Sequence, residues 1–199
     1  MAAAFRSVGI DATVAPDSDA QTLELGGLHS SGEECLPHKV TLGDFLKVCR
    51  APGFDPRKTA FFMPTAHGPC RFGQYAPYLR HQLAAMGYGD VPVISPSSEN
   101  GYEGVGLHAR ELMRTAWMGV ICGDIVTKFL LKTRPYETRA GDADAEFERG
   151  VEAFGRVLAM PGLAHRERLS RLREAVAQTR DRFRAIPARY EKGDRESGV

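Results

Sequence analysis

The sequence predicts an α/β fold: a parallel sheet with flanking helices, followed by a C-terminal helical hairpin. Three observations carry this expectation. Short apolar runs alternate with amphipathic, helix-length stretches over the first two-thirds of the chain. The gaps between runs are long enough for crossover helices, and the last third carries no strand signal. Strands separated by helical stretches of this length imply right-handed βαβ units and a parallel sheet. The expected division is an α/β domain over residues 1–140 and a hairpin with a polar tail over residues 141–199.

Taken in order, Ala2 to Val8 reads as a helical segment closed by Gly9 as a C-terminal cap. Ala12 to Ala15 is a short apolar run, expected as a strand. Pro37 to Cys49 is the next helix, with Val40, Leu42, Phe45, Leu46 and Cys49 as its apolar stripe. TAFFMP, Thr59 to Pro64, is continuous, aromatic and punctuated on both sides, as a buried strand is. A helix from Phe72 to Met86 ends at Gly87, and VPVIS, Val91 to Ser95, is a further strand. A Gly/Ser/Asn loop over Ser97 to Gly106 leads into a long apolar helix from about Leu107 to Lys132. In the last third, Phe147, Val151, Phe154 and Leu158 fall on one helical face. Leu169, Leu172, Val176 and Phe183 form a second stripe after the break at Pro161-Gly162. Two such helices make a hairpin. The segment after Tyr190, EKGDRESGV, is polar and expected to fray.

Composition narrows the class of protein. A chain of 199 residues with 43% hydrophobic and 26% charged content can bury a proper core. Its 26 basic residues nearly cancel its 25 acidic ones, so no global pull toward nucleic acid or a membrane surface is expected. The basic residues of the last third are interleaved with acidic ones, which gives no nucleic-acid signature. No apolar run approaches the roughly 20 residues that span a bilayer, and the start lacks the apolar core of a signal peptide. These features point to the cytoplasm. Four cysteines in such a chain read as thiols or metal ligands rather than as a disulfide framework.

Chemistry in an open parallel sheet gathers beyond the carboxyl ends of strands, beside helix N-termini. Two segments are expected there: Gly32-Glu33-Glu34-Cys35-Leu36-Pro37, ahead of a helix primed by Pro37, and Pro64 to Tyr75, which holds His67, Cys70 and Arg71. A thiol at a helix N-terminus feels the positive end of the macrodipole, which favours thiolate. Arg71 would push the same way. Gly32, Gly68 and Gly73 let the backbone approach a bulky ligand and offer N–H groups to it. Cys35 and Cys70 are therefore the candidate metal ligands, with Gly68, Arg71 and Gly73 beside them. Cys49 and Cys122 lie on apolar helical faces and read as core. The chain holds no CxxC pair, so neither a zinc ribbon nor a ferredoxin-type run is indicated. A Cys70–His67 nucleophile pair remains an alternative. GYEGVG, Gly101 to Gly106, is neither a phosphate loop nor a dinucleotide fingerprint and reads as a loop. Arg134-Pro135-Tyr136-Glu137 reads as a helix-terminating turn.

The segments SGEECLPHKVTLGDFLK (Ser31 to Lys47), MPTAHGPCRFGQY (Met63 to Tyr75), VPVISPSSENGY and KTRPYE carry a resemblance. They resemble the acyl-CoA dehydratase activase-related proteins, close to the 2-hydroxyacyl-CoA (2-hydroxyglutaryl-CoA) dehydratase component family. The resemblance runs to about Asp144. It implies an iron–sulfur component of an ATP-dependent two-component reductase, in which an ATPase activator delivers a low-potential electron to a cluster. It further implies a [4Fe–4S]-type cluster on a Rossmann-like domain, with Cys35 and Cys70 as the first pair of three cysteine ligands. An acyl-CoA substrate and a homo- or heterodimer belong to the same expectation. The chain departs from the pattern in having no third cysteine in an equivalent place and no ATPase phosphate loop. A further ligand is therefore expected from outside it, and the sequence reads as a fragment of a fused protein or a separate subunit. The rival reading is a scaffold or regulatory domain that docks an activator ATPase without a metal; a zinc site is a third.

Overall fold

The computed structural model describes residues 1–97, 99 and 106–189. The expectations for Gly101 to Val105 and for the chain after Tyr190 fall outside the described residues. The expected Rossmann-like sheet is not formed among the described residues. Of the described residues, 63% are helical and 3% strand, so the class is largely helical rather than α/β. The one sheet among the described residues is a parallel pair, β1 (Phe61–Phe62) and β2 (Val93–Ile94), in register Phe61 to Val93 and Phe62 to Ile94. The TAFFMP and VPVIS runs thus pair as parallel segments. The Phe61, Met63 and Thr65 N–H groups donate to the carbonyls of Pro92, Ile94 and Pro96. The Ala12 to Ala15 run is irregular, and Val14 is 80% exposed. Without a partner strand or a face to bury, apolar alternation alone does not hold the chain extended.

The described chain packs as two units: Val14–Ala109, and Met1–Thr13 together with the chain from Arg110 onward. The division falls at 109/110 rather than at 140, because the long helix shares its core with the hairpin.

In the first unit, α2 (Ala20–Leu28) starts at a capping box: Asp19 Oδ1 accepts from the Thr22 N–H at 2.9 Å, and Thr22 Oγ1 accepts from the Asp19 N–H at 3.1 Å. It packs tightly on α3 (Leu36–Arg50). A Cβ on Gly26 would stand 2.0 Å from the Lys39 carbonyl oxygen, and one on Gly43 would stand 2.0 Å from that of Thr22. Lys47 reaches back to Asp19 at 3.0 Å. A 3₁₀ turn over Arg71–Gln74 runs into α4 (Tyr75–Ala85). Leu42 and Leu46 of α3, Leu79 and Leu83 of α4, Phe61 and Val93 form one buried core that includes Cys49.

In the second unit, α1 (Ala2–Ser7) packs on α6 (Asp142–Ala159) and ends where Gly9 takes a φ of +80°. The Ile10 N–H returns to the Phe5 carbonyl at 3.1 Å. α5 (Ala109–Thr133) contributes Met118, Cys122, Val126 and Phe129 to a core shared with Phe154 and Leu158 of α6 and with Leu172 and Phe183 of α7 (His165–Ala185). The hairpin turn at Pro161-Gly162 uses the positive φ of Gly162, +66°. Glu137 caps α6, accepting from the N–H groups of Gly141 and Ala143 at 2.8 and 2.7 Å. No helix among the described residues is long and apolar enough to cross a membrane.

Candidate functional site

Both candidate ligands stand at helix starts. Cys35 is the N-cap residue of α3, with Pro37 in the first turn. Cys70 is the N-cap residue of the Arg71–Gln74 turn that leads into α4. Cys35 is half-buried and Cys70 exposed, whereas Cys49 and Cys122 are buried core residues.

A phenol links the two cysteine segments. Tyr75, the first residue of α4, is buried and places its hydroxyl 3.1 Å from Cys35 Sγ. That hydrogen bond is the largest cause holding the Cys35 thiol below its ordinary pKa. The His38 N–H in the first turn of α3 and the Arg71 guanidinium push the same way. The Tyr75 phenol is pushed up to about 12, first by burial, then by its bond to Cys35 and by the charge of Cys35 and Cys70. The proton on that oxygen is therefore retained, and the phenol serves as a donor to sulfur.

The loop ahead of Cys35 is pinned. Glu34 accepts from the Ser31 N–H at 3.0 Å, the Ser31 hydroxyl at 2.9 Å and the Gly32 N–H at 3.0 Å. These bonds, the Ser31 N–H foremost, hold its carboxyl down at about 2. Gly32 takes a φ of +107° that other residues resist. Arg71 donates to the Glu33 carbonyl, and Tyr78 donates to the His29 carbonyl at 3.0 Å, so the α4 segment grips the loop at two points.

His38 completes the cluster. It is 6% exposed, its ring stacks on Tyr75 at a centroid distance of 4.6 Å, and Tyr78 meets it edge-on at 4.8 Å. Its Nε2 has no hydrogen-bond partner among the described residues. Burial holds its pKa below the ordinary histidine value, so the ring is kept neutral.

Beside Cys70 lies a polar cleft of about 410 Å³, bordered by His67, Gly68, Gly73, Gln74 and Arg80. Gly68 has a φ of +146°, and a Cβ on Gly73 would stand 3.0 Å from the Ala66 carbonyl oxygen. The expected trio of Gly68, Arg71 and Gly73 thus divides: the two glycines shape the cleft, while Arg71 ties down the Cys35 loop. His67 pairs with Glu99 at 3.1 Å, with both side chains well exposed. No group of three or more His, Cys, Asp or Glu side chains suited to a metal occurs among the described residues.

Sequence reasoning assigned no role to Tyr75 or His38. His38 stands in the first turn of the helix that Cys35 opens, and Tyr75 follows directly on the turn that Cys70 opens; that placement was the available signal. No family model, curated protein or solved structure matches the chain.

Proposed function

We propose that this chain is a cytoplasmic component of an ATP-dependent two-component reductase, and that Cys35 and Cys70 donate two thiolates to a [4Fe–4S]-type iron–sulfur cluster. The observation that carries this reading is geometric: Cys35 and Cys70 each open a helical segment, and Tyr75, which follows the Cys70 turn, places its hydroxyl 3.1 Å from the Cys35 sulfur.

The donor chemistry fits in part. Thiolates are the ligands such clusters take, and the surroundings of Cys35 favour its thiolate. Two thiolates are the first pair of the three cysteine ligands that the resemblance implies, so a further ligand is assigned to a segment outside this sequence. When bound, the cluster would supply low-potential one-electron chemistry. The protein's own residues would tune it: Tyr75 donates a hydrogen bond to the Cys35 sulfur, and the Arg71 charge acts on the same atom. Both effects favour the more negatively charged, reduced state. The cleft beside Cys70 would admit the electron acceptor, with an acyl-CoA thioester as the proposed class, and an ATPase activator would be the electron donor.

The test is anaerobic reconstitution of the chain with ferrous iron, sulfide and dithiothreitol, the last supplying external sulfur ligands. Iron, acid-labile sulfide and an EPR signal after dithionite reduction are expected in the wild type and lost in Cys35→Ser and Cys70→Ser. Iron-free protein, or full iron and sulfide in the double variant, would sink the reading. Zinc without sulfide would replace the cluster with a zinc site.

A further inference from the structure

Only two of the four cysteines are reachable from solvent. Cys49 and Cys122 are buried in helical cores, whereas Cys35 is half-buried and Cys70 exposed. The reachable pair stands on two segments that the fold holds against each other. The Arg71 guanidinium donates to the Glu33 carbonyl, and the Tyr75 hydroxyl lies 3.1 Å from Cys35 Sγ. The residue after Cys70 thus grips the loop ahead of Cys35, and the helix that follows grips Cys35 itself. Cys70 borders the open polar cleft, and its Sγ has no hydrogen-bond partner among the described residues.

Two thiols on adjoining segments have a reaction that needs no third group. A metal centre needs ligands beyond these two, whereas a disulfide needs the pair alone. Sequence distance works against this pairing in an unfolded chain, because Cys49 lies between the two and closes a shorter loop with either. The fold reverses that preference: it buries Cys49 and brings the Cys35 and Cys70 segments together.

We infer that Cys35 and Cys70 form a redox switch, closing an intrachain disulfide when the metal-free chain meets hydrogen peroxide. One sulfur attacks the peroxide and breaks its O–O bond, which leaves a sulfenic acid and one water. The other sulfur attacks the sulfenic sulfur, forming the S–S bond and breaking the S–O bond, and a second water leaves. Two electrons and two protons pass from the thiols to the peroxide. A dithiol reverses the step by exchange and is itself oxidised. The disulfide and the proposed cluster use the same sulfurs and exclude each other, yet the switch does not rest on the cluster reading.

Peptide mapping of the full chain tests the switch. Dilute protein, freed of metal by a chelator, is treated with hydrogen peroxide and digested under non-reducing conditions for mass spectrometry. A Cys35–Cys70 cross-link within monomeric protein is expected, reversed by dithiothreitol, with Cys49 and Cys122 still reduced. It should exceed every other cysteine pair by at least about tenfold in the folded chain, and lose that lead in urea to the shorter Cys35–Cys49 and Cys49–Cys70 loops. Each single variant, Cys35→Ser and Cys70→Ser, should stop at a sulfenic acid on the remaining cysteine, which dimedone traps. Serine is close in shape and suits a helix N-cap, so circular dichroism should be unchanged. Oxidation of Cys35 or Cys70 without a cross-link, cross-links formed only between chains, or the same mixture of pairs in folded and urea-treated protein would each overturn the proposal. No iron enters this test, so its failure is separate from that of the reconstitution assay.

Discussion

The sulfur of Cys35 and the hydroxyl of Tyr75 lie 3.1 Å apart, although 40 positions separate them in the chain. The contact joins the start of α3 to the start of α4 and couples two titrations. A thiolate on Cys35 is stabilised by the phenol proton, and the same negative charge makes that proton harder to remove. The pair is thus biased toward thiolate and neutral phenol, the direction a nucleophilic or metal-ligating sulfur requires.

Cys35 should therefore react faster with iodoacetamide near neutral pH than a thiol of ordinary pKa, about 8.5. Tyr75→Phe removes the largest of the effects that lower its pKa and should move the midpoint of the alkylation profile upward. Peptide mass spectrometry across a pH series reads this at Cys35 alone. An unchanged midpoint in Tyr75→Phe would show that the phenol does not control the thiol.

His38 gives the same region a pH dependence of definite sign. Its pKa is lowered in the folded protein, because burial disfavours the imidazolium. Above the unfolded-state value of about 6.5, both states hold it neutral and its contribution to stability is complete. As pH falls below that value the unfolded chain takes up the proton first, and stability is lost until the lower folded value is passed. The charged groups acting on it include Glu34, which partly opposes the shift. Urea midpoints should consequently fall between pH 7.5 and pH 5 in the wild type, and fall less in His38→Phe, which keeps the stacking on Tyr75. Parallel declines in the two proteins would clear His38 of the effect.

The α2–α3 pair gives a sharper steric prediction. Gly43→Ala would force a methyl into the Thr22 carbonyl, a backbone atom that cannot rotate away. Overpacking of this kind costs about 1–3 kcal/mol, and here the cost should fall at or above the upper end. Gly27→Ala, in the same helix pair, meets nothing within 4 Å and should stabilise by up to about 1 kcal/mol through helix propensity. Chemical denaturation of the two variants should show opposite shifts in midpoint.

Legibility in the sequence followed the strength of each periodic signal. The stripes of α3, α5, α6 and α7 were long enough to specify helices, and Cys49 and Cys122 are buried as their positions on those stripes imply. The strands were legible as a parallel pair, yet their short apolar runs overstated the sheet. Pairing depends on what lies alongside, and the Ala12 to Ala15 run forms no strand, with Val14 left exposed. The short α2 went unread because two of its nine residues are glycines that weaken a helical pattern. Those glycines mark a close approach instead: Gly26 abuts the Lys39 carbonyl. The Asp19–Thr22 capping box was the missed signal. At the candidate site, the cysteines, Arg71 and the glycines were legible from local chemistry. The Tyr75 contact was not, because it depends on how α3 and α4 pack. The KTRPYE segment, one of those carrying the family resemblance, also supports the fold, since its glutamate, Glu137, caps α6.

Arg168 shows how charge pattern can mislead in the other direction, and it yields the largest expected effect. Within the run of alternating charges in α7 it reads as one more solvated arginine, but it is 2% exposed. Its Nη1 donates to the carbonyls of Val157 and Leu158 at 2.9 and 2.7 Å, and its Nη2 to those of Met160 and Leu163 at 2.9 and 3.4 Å. These carbonyls lie at the C-terminal end of α6 and in the turn beyond it, where helical acceptors lack intrahelical donors. The nearest acidic group, Glu111, is 3.9 Å away, so the guanidinium is satisfied chiefly by backbone. Arg168→Leu would leave several acceptors unpaired in the interior, at about 1–3 kcal/mol for each one left unsatisfied. A total loss of about 3 kcal/mol or more is expected. Arg168→Lys should recover only part of it, since one ammonium cannot span acceptors matched to a planar fork. Thermal and urea unfolding of the three proteins should rank wild type above Arg168→Lys and Arg168→Lys above Arg168→Leu; equal stability of wild type and Arg168→Leu would refute the capping role.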